Sequence, residues 1–459
     1  MAVSILTVQS AAQCRAGEAG SLSVTGSCGI GALDRFAADI DRLNLGATRP
    51  NPFLSAAFLH SYTAHSEFRA QCDDVRLYLI HDQGRLIGCA PMQRAPDRFG
   101  PAIGPVGLRG ESLKWLAPQD TEQPGLLSLP GEEDRVATAL VRYLCDHERN
   151  WGMLDLVGQR PNTALYRAVH AAAGGTYRVR DIAVEPYNEV ALIWPNLRSY
   201  LDSLTHKMRS NTTRLARHLY AAGEPELILA NGPAAVTAWF DAYCELDGRS
   251  WKQGTHASVG RNSERLRFYR EIAAGRGGLE PTFIGVLLDG VLVAGLLAGG
   301  NSGASPRRHG VWLLEMAYDR TRADLGAGNL LVLLAVTEAL RRGDCQLNFM
   351  QNFAYYKHRW GADPVDVVSV QLIRRFGLHN ARATMGDLKR RLLARKAALP
   401  VGAASRDAVE AGQPTGQLAA KPDTATAYRL AQAALTFTGS GVQRLNREQA
   451  QAYLPFRLH

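Results

Sequence analysis

The chain has 459 residues, of which 46% are hydrophobic and 21% charged, a balance typical of a folded globular protein with two domains and tails. Its seven cysteines are odd in number and form no CxxC pair, which argues against a disulfide framework and against a zinc site. The formal net charge of +9 suits a partner that carries phosphates, but it suits a solvated basic surface equally well.

Neither a membrane segment nor a secretory signal is predicted. The most apolar stretch, residues 283–300, is interrupted by Asp289 and by several glycines. The first twenty residues lack a basic start followed by a sustained apolar run. Together with the scattered cysteines, which fit a reducing compartment, these features predict a cytoplasmic protein.

Hydrophobic periodicity divides the chain into two α/β units. We predict a flexible tail over residues 1–30, domains over 31–186 and 187–398, and a linker with a C-terminal tail over 399–459. In the first domain the pattern predicts helices at 32–43, 51–65, 132–149 and 163–173, and strands at 75–80, 86–92 and 153–157. In the second it predicts helices at 197–222, 234–249, 263–274 and 328–342, and strands at 189–194, 282–288, 291–298, 309–318, 345–350 and 366–373.

The two predicted hairpins can be superimposed in sequence at a constant offset of 206 residues, so that Gly84 corresponds to Gly290 and Leu86 to Leu292. Any antiparallel hairpin needs a turn of this kind, so the likeness alone has a local explanation. Each hairpin also lies between a helical region and a helix-strand-helix segment. We therefore favour an internal duplication.

A glycine-rich turn carries the clearest functional signal. Gly326-Ala327-Gly328-Asn329 lies between a predicted strand and an apolar helix, where uncovered backbone amides and the helix dipole form a site for a diphosphate. Arg320 and Arg322 lie close enough to add positive charge. The alternative is a strand-to-helix turn that needs glycine for its conformation and binds no ligand. A Rossmann dinucleotide site is disfavoured, because the sequence has no GxGxxG pattern here.

The order hairpin, strand, glycine turn, helix, strand resembles the GNAT acetyltransferase core, whose turn reads Arg/Gln-x-x-Gly-x-Gly/Ala. Gly326 and Gly328 match this pattern, whereas Ala323 occupies the basic position. Residues 348–360 resemble the signature Asp-Phe-x-x-Gly-x-x-x-Tyr-Lys-x-x-Trp of the CelD-type, BioF2-like acetyltransferases. Four residues keep its spacing and two depart from it: Phe349, Tyr356, Lys357 and Trp360 match, while Asn348 and Asn352 replace Asp and Gly. Residues 51–53, 207–217 and 250–252 resemble further elements of that family.

This resemblance implies an α/β fold of two tandem GNAT-like domains, with mixed, mostly antiparallel sheets flanked by helices. It implies acetyl-CoA or another acyl-CoA as co-substrate, no metal, and transfer to a small molecule, amino sugar or glycan precursor, since the family is linked to cellulose and exopolysaccharide production. We assign the cofactor to Arg320, Arg322, Gly326, Ala327, Gly328 and Asn329. We assign the acceptor to Lys207, Arg209, Trp251, Lys252 and Asn352.

Three residues are candidates for the chemistry. Glu315, a carboxylate within an apolar strand, could act as a general base, unless it lies at an edge that faces water. Tyr356 could return a proton to the leaving thiolate, and Lys357 could stabilise a negative charge. A surface Tyr-Lys pair is the equal alternative for these two.

Other functions remain open at this stage. An aminoacyl transferase of the FemAB kind would share the double architecture and would use the basic helix around Lys207 for tRNA. A non-catalytic subunit of polysaccharide production would explain the departures at Asn348 and Asn352. We expect no DNA partner, because no aromatic residues alternate with the basic ones, and we expect no metal, because the histidines lack ligand spacing.

Overall fold

A computed structural model of the protein describes residues 22–65, 74–98, 109–117, 124–148, 150–255, 257–301, 310–351, 355–397 and 442–445. The strands are β1 (Leu22–Cys28), β2 (Val75–Asp82), β3 (Arg85–Arg98), β4 (Arg109–Trp115), β5 (Leu127–Ser128), β6 (Met153–Gln159), β7 (Tyr177–Ala183), β8 (Tyr187–Ala191), β9 (Pro225–Asn231), β10 (Leu279–Leu288), β11 (Val291–Asn301), β12 (Gly310–Tyr318), β13 (Gln346–Gln351), β14 (Asp363–Val365), β15 (Val368–Arg374) and β16 (Val442–Leu445). The helices are α1 (Ile30–Arg35), α2 (Ala37–Gly46), α3 (Ala56–His65), α4 (Glu133–Asp146), α5 (Ala164–Ala171), α6 (Leu197–Ser203), α7 (His206–Ala221), α8 (Pro233–Gly248), α9 (Ser263–Ala273), α10 (Ala327–Arg342), α11 (Tyr355–Arg359) and α12 (Leu378–Ala397).

Two sheets repeat one strand order. The first runs β1-β2-β3-β4-β6-β15-β7, and the second runs β9-β10-β11-β12-β13-β8-β14, with β16 beside β9. In each sheet a single neighbouring pair is parallel within these strands, β4 with β6 and β12 with β13. The predicted α/β architecture, with mixed and mostly antiparallel sheets flanked by helices, is confirmed.

The hairpins share their irregularities as well as their length. The β2-β3 register shifts between Ile80 and His81, and the β10-β11 register shifts between Val286 and Leu287, which are 206 positions later. Gln83 and Asp289, again 206 apart, both adopt a positive φ, 48° and 52°, before a turn glycine. A left-handed residue before the glycine is what a two-residue type I′ turn requires. A bulge at matching positions goes beyond what a hairpin requires, and it supports the duplication.

The shared strand order defines two repeats, β1 to β8 and β9 to β15, which we call the two halves, and one interior strand of each sheet comes from the opposite half. β15, predicted as the last strand of the second domain, lies between β6 and β7 of the first sheet. β8 takes the equivalent place between β13 and β14 of the second sheet. Val370 and Leu372 of β15 are fully buried in the core of the first sheet. The two halves have therefore exchanged a strand, and β15 corrects our assignment of its residues to the second domain.

Three further predicted elements need correction. Leu22–Cys28, placed in the flexible tail, pairs along its length with β2, and Val442–Leu445, placed in the C-terminal tail, pairs with β9. The helix predicted over 197–222 is two helices, because the Thr205 side chain caps the amide of Met208 and starts α7 anew. Polar capping residues inside an amphipathic pattern are easily read as part of one helix.

The halves meet through an aromatic contact. The Asn51 side chain accepts from the Phe53 amide and fixes this residue. The Phe53 ring packs edge-on against Phe58 of α3 and against Trp312 of β12, with ring centroids 5.1 and 5.9 Å apart. Nearby, the Asn301 side-chain amide donates to the Pro50 carbonyl at 2.7 Å. Phe53 and Phe58 of the first half therefore join the hydrophobic cluster on the α8-α9 face of the second sheet.

The strand exchange predicts that the first half does not fold by itself. A fragment of residues 1–186 leaves β6 and β7 without the strand between them, so we expect aggregation or no cooperative thermal unfolding by circular dichroism. Joining residues 367–375 directly after residue 186 restores β15 as a hairpin with β7, and this control fragment should unfold cooperatively. Equal cooperative unfolding of the two fragments would contradict the exchange.

Candidate active site

The second sheet opens where its two parallel strands end. β12 and β13 pair only through Gly310–Gln346, Val311–Leu347 and Trp312–Asn348 in the described chain. β12 then continues for six residues to Tyr318, bonded to β11 on its other side, while β13 continues to Gln351. The strands therefore diverge toward their carboxyl ends and leave unpaired backbone groups that an extended ligand could meet.

The predicted glycine turn lies at this opening. Gly326 adopts the left-handed conformation, φ 60° and ψ 26°, and ends the 3₁₀ segment Arg320–Leu325 before α10 begins. A side chain at Gly326 would also collide with Leu215 of α7, 2.5 Å away. At Gly328 a Cβ atom would instead make ordinary contacts with Tyr318 and Met316, 3.6 and 3.9 Å away, without a clash.

The turn leaves two amides for a ligand. The amide of Asn329 donates to the Gly326 carbonyl at 3.0 Å. Ala327 and Gly328 are the first residues of the helix and have no carbonyl one turn earlier to accept from them. Arg320 is exposed and Arg322 half-buried in the preceding segment. The six predicted cofactor residues are thus brought together at a helix N-terminus with positive charge beside it.

Asp319 fastens this segment to the rest of the half. Its carboxylate accepts from the Thr321 amide at 2.9 Å and pairs with Arg249 at 3.2 Å. Burial opposes its ionisation, but the Thr321 hydrogen bonds and the Arg249 charge outweigh burial and lower the pKa of Asp319. Ser250 forms a backbone bridge to the same residue. The Ser250-Trp251-Lys252 element is therefore docked at the end of β12.

Glu315 lies in a buried ionic cluster rather than facing water. Its two carboxylate oxygens accept from Lys252 and from Arg265 of α9, and only 7% of its side chain is exposed. The Lys252 ammonium also lies 3.3 Å from Asp247, which is fully buried. Tyr243 lies in this environment, where burial first, and then the charges of Glu315 and Asp247, raise its pKa. Both oxygens of Glu315 are thus already engaged, which weakens its role as a general base.

Lys357 and Tyr356 have different environments despite being neighbours. The Lys357 side chain is buried and donates to the carbonyls of Met350 and Gln351, at 3.0 and 2.8 Å. Met350 has a positive φ of 62°, and Asn348 accepts from its amide at 2.7 Å. Lys357 and Asn348 therefore hold the strained end of β13, which corrects the idea of Lys357 as a free charge.

Tyr356 is accessible, with 38% of it exposed, and its ring packs edge-on against Phe349. Partial desolvation by its surroundings raises the pKa of Tyr356 to about 12. Trp360, the last residue of the signature, is fully buried. Because α11 follows β13 and α10 follows β12, Tyr356 and the glycine turn lie at the same edge of the sheet.

The predicted acceptor residues are not one group. The Arg209 guanidinium donates to the carbonyls of Leu201, Asp202 and Leu204 and so caps α6, whereas Lys207 is exposed. Trp251 is 51% exposed beside the buried Lys252. Asn352 lies outside the described residues. Arg214 and His218 of the same basic helix are exposed, and their spacing of four residues places them on one helix face.

The first half differs at the equivalent helix start. α4, which connects the parallel strands β4 and β6, is preceded by Glu132 and begins with Glu133 and Asp134. These carboxylates stand at the helix N-terminus where the second half has glycines and uncovered amides. Negative side chains already satisfy the helix dipole there and repel a diphosphate.

Comparison with known proteins supports this geometry. A family model described as an acetyltransferase (GNAT) domain matches residues 206–358, which run from α7 through the glycine turn to α11. Residues 206–358 form a GNAT acetyltransferase domain. The protein is an acyltransferase on this ground, while the narrower CelD-type assignment stays a prediction. No curated protein matches the chain in sequence.

Solved structures share the fold at low identity. FemX is 10% identical with a TM-score of 0.52, and the match covers 76% of this chain and 98% of FemX. A conserved protein of unknown function from Bacteroides thetaiotaomicron is 11% identical over 74% of this chain and 97% of its own, with a TM-score of 0.46. A tandem GNAT protein from the clavulanic acid pathway is 14% identical over 78% and 100%, with a TM-score of 0.41. Of these three, FemX alone supports the fold argument.

Two negative findings hold for the described part of the chain. No three His, Cys, Asp or Glu side chains converge there as metal ligands would. No helix in it has the length and apolar character needed to cross a membrane.

The ionic cluster predicts a large stability effect. Lys252→Met leaves Glu315 and Asp247 as buried carboxylates with Arg265 as their remaining cation, so we expect a loss of about 3–5 kcal/mol in the free energy of unfolding, measured by urea denaturation. Lys207→Met removes an exposed charge and should change the free energy by less than about 0.5 kcal/mol. Similar unfolding midpoints for the two variants would contradict a structural role of Lys252.

Proposed function

We propose that the protein transfers an acyl group from acetyl-CoA or another acyl-CoA to an amine or hydroxyl of a small molecule, amino sugar or glycan precursor. The observation that carries this proposal is the helix N-terminus at Gly326–Asn329 beside two diverging parallel strands. The amides of Ala327 and Gly328 would bind the CoA diphosphate, with Arg320 and Arg322 adding charge. The amide-containing arm of CoA would lie along the unpaired edge of β12.

A single CoA site per chain follows from the contrast between the halves. The acidic start of α4 disfavours a second diphosphate in the first half. That half would instead shape the acceptor cleft, since Phe53 and Phe58 join the hydrophobic cluster on the α8-α9 face of the second sheet. Trp251 is the exposed aromatic on this side and offers a flat apolar surface for a sugar ring.

The reaction would be a direct transfer. The acceptor nitrogen or oxygen attacks the thioester carbonyl and forms the new bond, the carbon–sulfur bond breaks, and the proton lost by the acceptor goes to water. Tyr356 would give its phenolic proton to the leaving thiolate and regain one from solvent. Its raised pKa keeps the phenol protonated near neutral pH, as a proton donor requires.

Glu315 would contribute to catalysis by positioning the elements around the cleft, and it would not act as a general base. Its contacts to Lys252 and Arg265 connect β12 to α9 and to the loop that carries Trp251. This arrangement would hold the acceptor side of the cleft rigid. The link to cellulose or exopolysaccharide production rests on the sequence resemblance, and the cytoplasmic location rests on the scattered cysteines, which fit a reducing compartment.

An aminoacyl-tRNA-dependent transfer is the second candidate, favoured by the fold shared with FemX and by the exposed basic residues of α7. It predicts tRNA binding that weakens steeply with salt and no response to CoA compounds. A subunit without catalytic activity would bind CoA and show no turnover with any acceptor.

Gly328→Asp tests the donor site. The new carboxylate would lie in the first turn of α10 and repel the diphosphate, so the stabilisation by saturating acetyl-CoA, about 2.7 kcal/mol at one hundred times Kd, should disappear in a thermal-shift assay. Gly31→Asp adds the same charge at the exposed start of α1 and should keep the full shift. Isothermal titration should give one CoA per wild-type chain. An equal shift in both variants would refute the site.

Tyr356→Phe tests the proton donor. With the best acceptor from a panel of amino sugars, amino acids and glycan precursors, we expect kcat to fall about 10²-fold while KM for acetyl-CoA stays within about twofold. Because the pKa lies near 12, the ratio of wild-type to variant rates should stay constant between about pH 6 and pH 10. Tyr166→Phe, in the first half, is the control and should keep full activity. A wild-type rate in Tyr356→Phe would remove this residue from the mechanism.

A further inference from the structure

The helix α7 crosses the edge of the second sheet where CoA would bind. At its beginning, the Tyr200 hydroxyl of α6 donates to the Trp360 carbonyl, and Leu204 lies against Gly361, just after α11. Toward its end, Leu215 covers Gly326, and His218 Nδ1 lies 3.3 Å from the Asp324 carbonyl. The helix therefore runs from the residues that follow α11 to the glycine turn.

One face of this helix carries a polar stripe, which we name the α7 stripe: Lys207, Asn211, Arg214 and His218. Its spacing of four, three and four residues keeps these side chains on a single face. His218 contacts the turn segment, so this face is directed toward the turn. Arg214 lies about 6 Å before His218 along the helix axis and donates to the Asn211 side chain at 3.1 Å.

The positive charges of the α7 stripe have no carboxylate partner among the residues that the structure describes. In the described residues, Lys207 and Arg214 lie within ion-pair distance of no carboxylate, unlike Arg249 and Arg265 on the opposite face of the sheet. Both side chains are exposed. Asp324, in the 3₁₀ segment before the turn, contacts His218 through its backbone carbonyl. An unpaired cationic stripe beside a diphosphate site suits a further phosphate.

The side of the sheet on which α7 lies indicates whether the α7 stripe would contact a phosphate of the acceptor or of CoA. α7 packs with α10 in one core cluster, whereas Trp312 and Ala317 pack with α8 and α9 on the other side, together with Phe53 of the first half. A phosphate on the acceptor would enter from that second side. On the α10 side, the proposed CoA arm would pass into the strand opening, so the part of CoA left outside the turn would be its nucleotide end.

We infer that the α7 stripe, through Arg214 above all, binds the 3′-phosphate of the CoA ribose and makes the enzyme select CoA over 3′-dephospho-CoA. This inference rests on the proposed function. The diphosphate uses the amides of Ala327 and Gly328 with Arg320 and Arg322, while the third phosphate, which carries nearly two charges at neutral pH, uses Arg214 and Lys207.

The test compares the Kd values of CoA and 3′-dephospho-CoA by isothermal titration at constant ionic strength. We expect the wild type to bind CoA about tenfold more tightly than dephospho-CoA. Arg214→Gln should reduce this ratio to about one by weakening CoA binding and leaving dephospho-CoA binding unchanged. Arg85→Gln removes an exposed charge from the first half and should keep the ratio.

The outcomes separate this inference from the proposed function. Tight binding of both compounds at equal Kd, or a tenfold ratio that persists in Arg214→Gln, would overturn the role of the stripe and leave the donor site standing. A loss of the ratio in Arg85→Gln as well would show a general charge effect and also overturn it. No binding of either compound to the wild type would overturn both proposals.

Discussion

The exchange of β8 and β15 is the constraint on which the rest of the molecule depends. Each strand is an interior member of a sheet whose other strands belong to the opposite half, so neither sheet is complete until both halves are present. The connection from β7 to β8 is only three residues long, which fixes where the first sheet ends relative to the start of the second. The cleft between the halves is thus determined by covalent and hydrogen-bonded links, in addition to the contact of Phe53 with Trp312.

Rigid supports surround the proposed site for a similar reason. A diphosphate site made of backbone amides works only if the turn that presents them keeps its shape. Asp319, Arg249 and the bridge to Ser250 hold the turn from one side, and Leu215 holds Gly326 from the other. At the end of β13, the buried Lys357 secures the backbone before Tyr356 in the same way. Several charged side chains near the site therefore hold the backbone in place and do not contact a ligand.

Much of the fold could be predicted from local patterns, and so could the glycine turn. Hairpins, amphipathic helices and a Gly-x-Gly between strand and helix leave signals within a few residues. The partner of β15 could not be predicted, because its apolar pattern is satisfied equally by either sheet. Likewise, nothing in the sequence tells that Lys357 and Arg209 bond backbone carbonyls while Lys207 and Arg214 remain exposed, since burial depends on contacts that are distant in sequence.

The two halves show how one architecture can be kept while its helix termini diverge. Both connect parallel strands through a helix whose first amides lack carbonyl partners, and these amides must be satisfied in some way. At α4 the chain supplies carboxylates of its own, beginning with Glu133 and Asp134, and the helix start is complete without a ligand. At α10 it supplies Gly326 and no acidic residue in the first turn, so the chain provides no anion for the first amides of this helix. In the part of the chain that the structure describes, this helix start has no anion of its own and no carboxylate pairs with Arg320 or Arg322, so a diphosphate would bind there with little rearrangement. The asymmetry between α4 and α10 thus accounts for why only one half would carry the donor, and why the other would be free to form the wall of the acceptor cleft.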